Sequence, residues 1–95
     1  MPNPFRGLVL DAQFEAEFKQ LEPDDRARDE ILEGIDWVLS REPERGSFSE
    51  GEGVWIREVC DPKTRRRFWL FYTFTERHVI LISIKKPSVS EIWPN

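Results

Sequence analysis

Cysteine and histidine each occur once, as Cys60 and His78. A single cysteine excludes an internal disulfide, and one Cys with one His falls short of the four ligands of a Cys/His structural zinc site, so neither metal nor cofactor is expected. Long apolar runs are missing as well. Stretches such as Val79-Ile80-Leu81-Ile82 are far too short to cross a bilayer, and residues 1–6 contain no apolar stretch of signal-peptide length. These absences lead to the expectation of a soluble cytoplasmic protein with no membrane partner. What is present is enough for one modest core and not for two: 95 residues, 39% of them apolar, are read as a single domain over 1–95. No internal repeat or low-complexity segment interrupts it.

The formal net charge of −4 hides an uneven distribution. Residues 1–53 hold fourteen acidic and six basic side chains, a balance of −8, whereas residues 54–95 hold four acidic and eight basic ones, a balance of +4. An acidic whole argues against coating of duplex DNA, but a local basic cluster is able to grip a few phosphates.

Hydrophobic periodicity predicts the order β-α-α-β-β-β. Phe5–Leu10 reads as a strand, and Asp11 is a good N-cap for a helix on which Phe14, Phe18 and Leu21 recur at helical spacing. Pro23-Asp24-Asp25 ends that helix and opens a second, running to about Glu42, with Ala27, Ile31, Ile35 and Val38/Leu39 as its buried stripe; Pro43 stops it. Residues 43–53 are aperiodic and rich in Gly and Ser, which suggests a surface loop. Val54–Val59, Arg65 to about Thr73, and His78–Lys85 are rich in β-branched and aromatic residues and read as three strands. The fold class is therefore α+β, a helical hairpin packed on one face of a small, mainly antiparallel sheet.

A tight turn at Thr75-Glu76-Arg77 would pair Phe74 with His78, Arg67 with Lys85 and Tyr72 with Ile80. The face toward the helices would then carry Phe68, Leu70, Tyr72 and Phe74 with Ile80, Ile82 and Ile84. Arg67, Trp69, Phe71, Val79, Leu81 and Lys85 would share the other. The expected core is Phe14, Phe18, Ile31, Ile35, Phe68, Leu70, Ile80 and Ile82. The same geometry gathers Lys63, Arg65, Arg66, Arg67, Lys85 and Lys86 into one basic corner, near Arg57 and Glu58, whose register the longer Cys60–Thr64 turn leaves open. His78 falls at the opposite end of the sheet and reads as a surface residue.

With the helical hairpin Phe14–Leu39, the approach from Glu50 to Arg57 through Gly51 and Gly53, the strand Arg67–Tyr72 and the closing strand His78–Lys86, the chain resembles the RelE/ParE superfamily, small toxins of bacterial type II toxin–antitoxin pairs. The resemblance rests on the order and spacing of loose motifs over most of the chain. It implies a metal-independent endoribonuclease that cuts mRNA on the ribosome and is held in check by a cognate antitoxin. Matched position by position, it places Arg57, Arg67 and Lys85 or Lys86 in the cleavage site. Attack by a 2′-hydroxyl on the adjacent phosphate needs a base, charge neutralisation and a proton for the leaving oxygen. Arg67 and a lysine suit the second task with help from Arg57, and Glu58 is the nearby carboxylate suited to the first. Lys63, Arg65, Arg66 and Lys86 are then RNA-binding candidates. The tail offers Trp93 where many ribonuclease members have a His or Tyr, so the gyrase-inhibiting branch and a non-toxic interaction domain stand as alternatives.

Each signal has a plainer reading. Arg65 and Arg66 suit a solvated strand start, Glu58 a salt-bridge partner, and Trp55, Trp69, Phe71 and Tyr72 ordinary packing. An apolar patch of Trp69, Phe71, Val79 and Leu81 facing away from the helices would nevertheless mark an interface, for an antitoxin segment or for a second copy in a homodimer.

Overall fold

A computed structural model describes residues 6–61 and 63–86. Two helices pack on one face of a five-stranded mixed sheet of order β1-β5-β4-β3-β2. The strands are β1 (Gly7–Leu10), β2 (Ser47–Ser49), β3 (Val54–Cys60), β4 (Arg67–Phe74) and β5 (His78–Lys85), and the helices are α1 (Ala12–Leu21) and α2 (Asp25–Leu39). β1 runs parallel to β5, and all other pairs are antiparallel. Neither helix is long and apolar enough to cross a membrane.

Both helix starts are set by aspartates. Asp11 Oδ1 accepts the Gln13 N–H at 2.9 Å and Asp24 Oδ2 accepts the Ala27 N–H at 2.8 Å, each satisfying a donor that the first turn leaves without a helical partner. Phe14 and Phe18 of α1, and Ile31, Ile35 and Leu39 of α2, repeat every four residues and are buried. α2 stops at Leu39, three residues short of the expected end. A proline disfavours helical backbone in the residue before it, and Glu42 accordingly sits at φ −137° and ψ 62°.

The stretch 43–53 is more ordered than a surface loop. It holds a 3-10 turn (Pro43–Arg45) and then β2, which pairs Phe48 with Trp55; three residues are too few for a periodicity to show. Tyr72 anchors this segment, its buried hydroxyl donating to the Pro43 carbonyl at 2.6 Å. Gly46 lies so close that a Cβ there would stand 2.3 Å from the Tyr72 oxygen and 2.9 Å from the Ile56 carbonyl, which leaves room for glycine alone.

The β4–β5 register departs from the expected one. Phe74 faces Val79, and beyond an irregularity between Phe71 and Tyr72 the pairs are Phe71 with Ser83, Leu70 with Ile84 and Trp69 with Lys85. The turn is one residue longer than expected because the Thr75 hydroxyl accepts the N–H groups of Arg77 (3.2 Å) and His78 (3.1 Å), while Thr75 N–H closes onto the His78 carbonyl (2.8 Å). A shift of one residue exchanges the faces of a strand. Val79 and Leu81 are therefore fully buried in the core, and Ile80 and Ile82 are only half-buried. This corrects both the expected core and the expected patch, since Val79 and Leu81 are unavailable to a partner. Ile82 is the extra residue of a bulge, after which Ile84 returns to the buried side opposite Leu70. Phe14, Phe18, Ile31, Ile35, Phe68 and Leu70 are buried as expected, joined by Leu39, Tyr72, Val79, Leu81 and Ile84.

Candidate functional site

Alternation along β4 turns Phe68, Leu70 and Tyr72 toward the helices and Arg67, Trp69 and Phe71 away from them. Paired residues share a face, so Glu58, Trp69 and Lys85 form one row across β3, β4 and β5, and Arg67, paired with Cys60, stands one row further on the same open face. Trp69 is 40% exposed at the centre of that row. The sheet thus brings together three of the four expected catalytic residues: Glu58, Arg67 and Lys85. Arg57 is not among them. It pairs with Leu70, whose side chain is buried under the helices, and its Nη1 donates to the Glu42 carbonyl at 3.3 Å. The expectation that Arg57 joins Arg67 fails because adjacent strand residues point to opposite faces, and Glu58 takes the open one.

The expected basic corner is also dispersed, and Arg67 does not face Lys85. Lys85 pairs with Glu17 of α1, Arg66 with Glu22, and Lys63 with Glu30 of α2. Arg66 further donates to the Leu21 carbonyl at 2.7 Å and lies 5.1 Å from the Phe68 ring centre. Each pair joins a helix of the acidic half to the basic half. Arg65, Arg67 and Lys86 have no side-chain hydrogen bond or ion pair among the described residues. Arg65 adopts φ 64°, a left-handed conformation imposed by the β3–β4 turn, where its N–H donates to the Asp61 carbonyl at 2.8 Å.

Phe71, Ile80, Ile82 and Val9 extend the open face toward the β4–β5 turn, so an apolar strip adjoins the Glu58–Trp69–Lys85 row. On the helix side, a groove of about 410 Å³ separates α2 from β3, floored by Ile31, Ile35 and Phe68 and rimmed by Glu30 and Asp61. His78 is exposed at the far end of the sheet. Trp93 lies outside the described residues.

Among residues the sequence reading passed over, Glu17 matters most. β1 ends its pairing with β5 at Leu81. Beyond it the Glu17 carboxylate accepts the Ile84 N–H (3.1 Å) and the Ser83 hydroxyl (2.6 Å) as well as the Lys85 ammonium. Burial opposes charge on this carboxyl, but the three donors outweigh it and hold the pKa below the ordinary glutamate value. Trp37 was also passed over. It falls off the Ile31–Ile35–Leu39 stripe, and a large aromatic off the stripe was a legible sign of an exposed side chain; Trp37 is 63% exposed.

Chemically, the open face offers an indole able to stack on a base, an unengaged guanidinium for a phosphate and an exposed carboxylate for a proton. Comparison with models of known protein families and with curated proteins finds no match to this chain.

Proposed function

We propose that the protein is the toxin of a type II toxin–antitoxin pair and acts as a metal-independent endoribonuclease on mRNA held by the ribosome. What supports this reading, beside the sequence resemblance, is the exposed Trp69 set between Glu58 and Lys85 with the unengaged Arg67 one row away. A single-stranded base stacks on the indole, which brings its phosphate to Arg67. Glu58 takes the 2′-hydroxyl proton, the 2′-oxygen bonds to phosphorus, and the bond to the 5′-oxygen breaks, leaving a 2′,3′-cyclic phosphate. The departing oxygen takes its proton from water at the open face. An antitoxin segment silences the site by covering Trp69 and the adjoining Phe71 and Ile82.

One observation favours the gyrase-inhibiting alternative: Arg57 faces the other way and Lys85 is engaged by Glu17, so the face suits protein docking at least as well as proton transfer. Induced expression followed by mapping of RNA ends separates the two. Cleavage with 2′,3′-cyclic ends, lost in Arg67→Ala, is the expected result. Growth arrest without RNA cleavage, persisting in Arg67→Ala, assigns the protein to the alternative.

A further inference from the structure

Three guanidinium groups from three segments converge at the C-terminal end of α2. Arg41 follows the helix, Arg45 closes the 3-10 turn and Arg57 comes from β3; with Trp37, Val38 and Glu42 they line a pocket of about 190 Å³. Arg41 Nη1 donates to the Trp37 carbonyl at 3.0 Å and Arg57 Nη1 to the Glu42 carbonyl at 3.3 Å, while Arg45 Nε meets the Glu42 carboxylate at 2.9 Å. Capping of orphan carbonyls explains Arg41, since a helix C-terminus attracts cations. It does not explain why Arg45 and Arg57 arrive from other elements. Along the β3–β4 turn and the end of β5, acids of the helices neutralise Lys63, Arg66 and Lys85 one to one. Here Glu42 is the one carboxylate among the residues that line the pocket, beside three guanidinium groups.

We propose that this pocket binds a phosphate group. A guanidinium carries five N–H donors in a planar fork matched to phosphate oxygens, and Arg45 and Arg57 each keep donors beyond the contacts just given. Arg41 is stacked on the Trp37 ring, 3.4 Å from its centre, which holds its fork in one plane at the rim. An oxyanion there offsets like charges that otherwise face each other across a small volume. The phosphate belongs either to an RNA backbone or to a small phosphorylated molecule. The inference does not rest on the toxin reading, because Arg57 lies on the face of the sheet opposite Arg67.

The test uses the full chain, isotopically labelled, with the arginine Nε–H and Trp37 indole resonances followed by NMR. Inorganic phosphate is titrated against chloride at matched ionic strength, and a short oligouridine is titrated separately. Saturable shifts of Arg45, Arg57 and Trp37 with phosphate and not with chloride are expected. Arg45 is 69% exposed, so Arg45→Ala should keep the fold and weaken binding by about tenfold, as loss of one charge-assisted contact does. If oligouridine shifts the same resonances at lower concentration, the phosphate is that of RNA; if only inorganic phosphate does, it is that of a small molecule. Shifts that chloride reproduces, or binding unchanged in both Arg45→Ala and Arg57→Gln, overturn the proposal. Phosphate binding retained in Arg67→Ala while RNA cleavage is lost shows the two sites to be separate.

Discussion

At the edge of β5 beyond Leu81, the Glu17 carboxylate satisfies a backbone N–H that no neighbouring strand reaches. Its contribution follows from the sign of its shift. A carboxyl whose folded pKa is lowered stabilises the fold above its ordinary value of 4.5, and that stability is lost as the pH falls through the folded value. Glu17→Gln should therefore be less stable than the parent at pH 7, and the gap should narrow below about pH 4.5 in denaturant unfolding followed against pH. Gly46 answers to sterics instead. Gly46→Ala drives a methyl into the Tyr72 oxygen and the Ile56 carbonyl, and should cost about 1–3 kcal/mol by the same measurement. On the proposed ribonuclease function, Arg67→Ala on the open face should lower RNA cleavage by about a hundredfold to a thousandfold with the fold intact. Glu58→Gln is the companion: a base loses activity, whereas a carboxylate outside the chemistry leaves cleavage unchanged.

Among the elements, β5 is decided by its ends. The Thr75 hydroxyl lengthens the preceding turn by one residue and the bulge at Ile82 adds another, so Val79, Leu81 and Ile84 face the helices although strict alternation cannot place all three on one side. Alternation was legible; its phase was not, because one side-chain hydrogen bond in a turn moved it. The helix starts and buried stripes were legible, though not the end of α2, since Asp11 and Asp24 cap locally and a four-residue repeat survives any small error in register. Ile35, 2% exposed, is the test of α2: Ile35→Ala should cost about 2–5 kcal/mol. Trp69→Glu on the open side should leave the unfolding midpoint nearly unchanged and, on the proposed function, abolish co-purification with an antitoxin.

Across the whole molecule, the division between an acidic first half and a basic second half is spent largely on internal pairing. Glu17, Glu22 and Glu30 reach from the helical layer to Lys85, Arg66 and Lys63. An exposed pair such as Lys63–Glu30 adds little stability, but all three withdraw cations from any phosphate that approaches the open face. Among the described residues this leaves Arg67 on that face, and the exposed Arg65 and Lys86 just outside β4 and β5, with no side-chain hydrogen bond or ion pair. If the protein binds single-stranded RNA as proposed, that binding should show a log–log salt slope of about −2, from about −0.7 for each of three neutralised phosphates, rather than the −4 or so of a six-cation corner. Affinity measured over a range of salt concentrations distinguishes the two. Arg65→Gly removes one of the three without strain, because glycine accepts the positive φ that Arg65 already adopts.

The sequence by itself determined the order of the elements other than β2, both helix starts, the inward stripes of α1 and α2 and the inward residues of β4, because these follow from caps and periodicities acting within a few residues. It also placed Arg67, Glu58, Trp69 and Lys85 near one another, since antiparallel strands joined by short turns have few alternatives. Tertiary structure alone decided which face Arg57 and Val79 present, that Lys63, Arg66 and Lys85 are matched by acids on the helices, and that Arg41, Arg45 and Arg57 meet. Those outcomes depend on turn length to a single residue and on the docking of one layer against another. Neither is encoded in the spacing of neighbouring side chains.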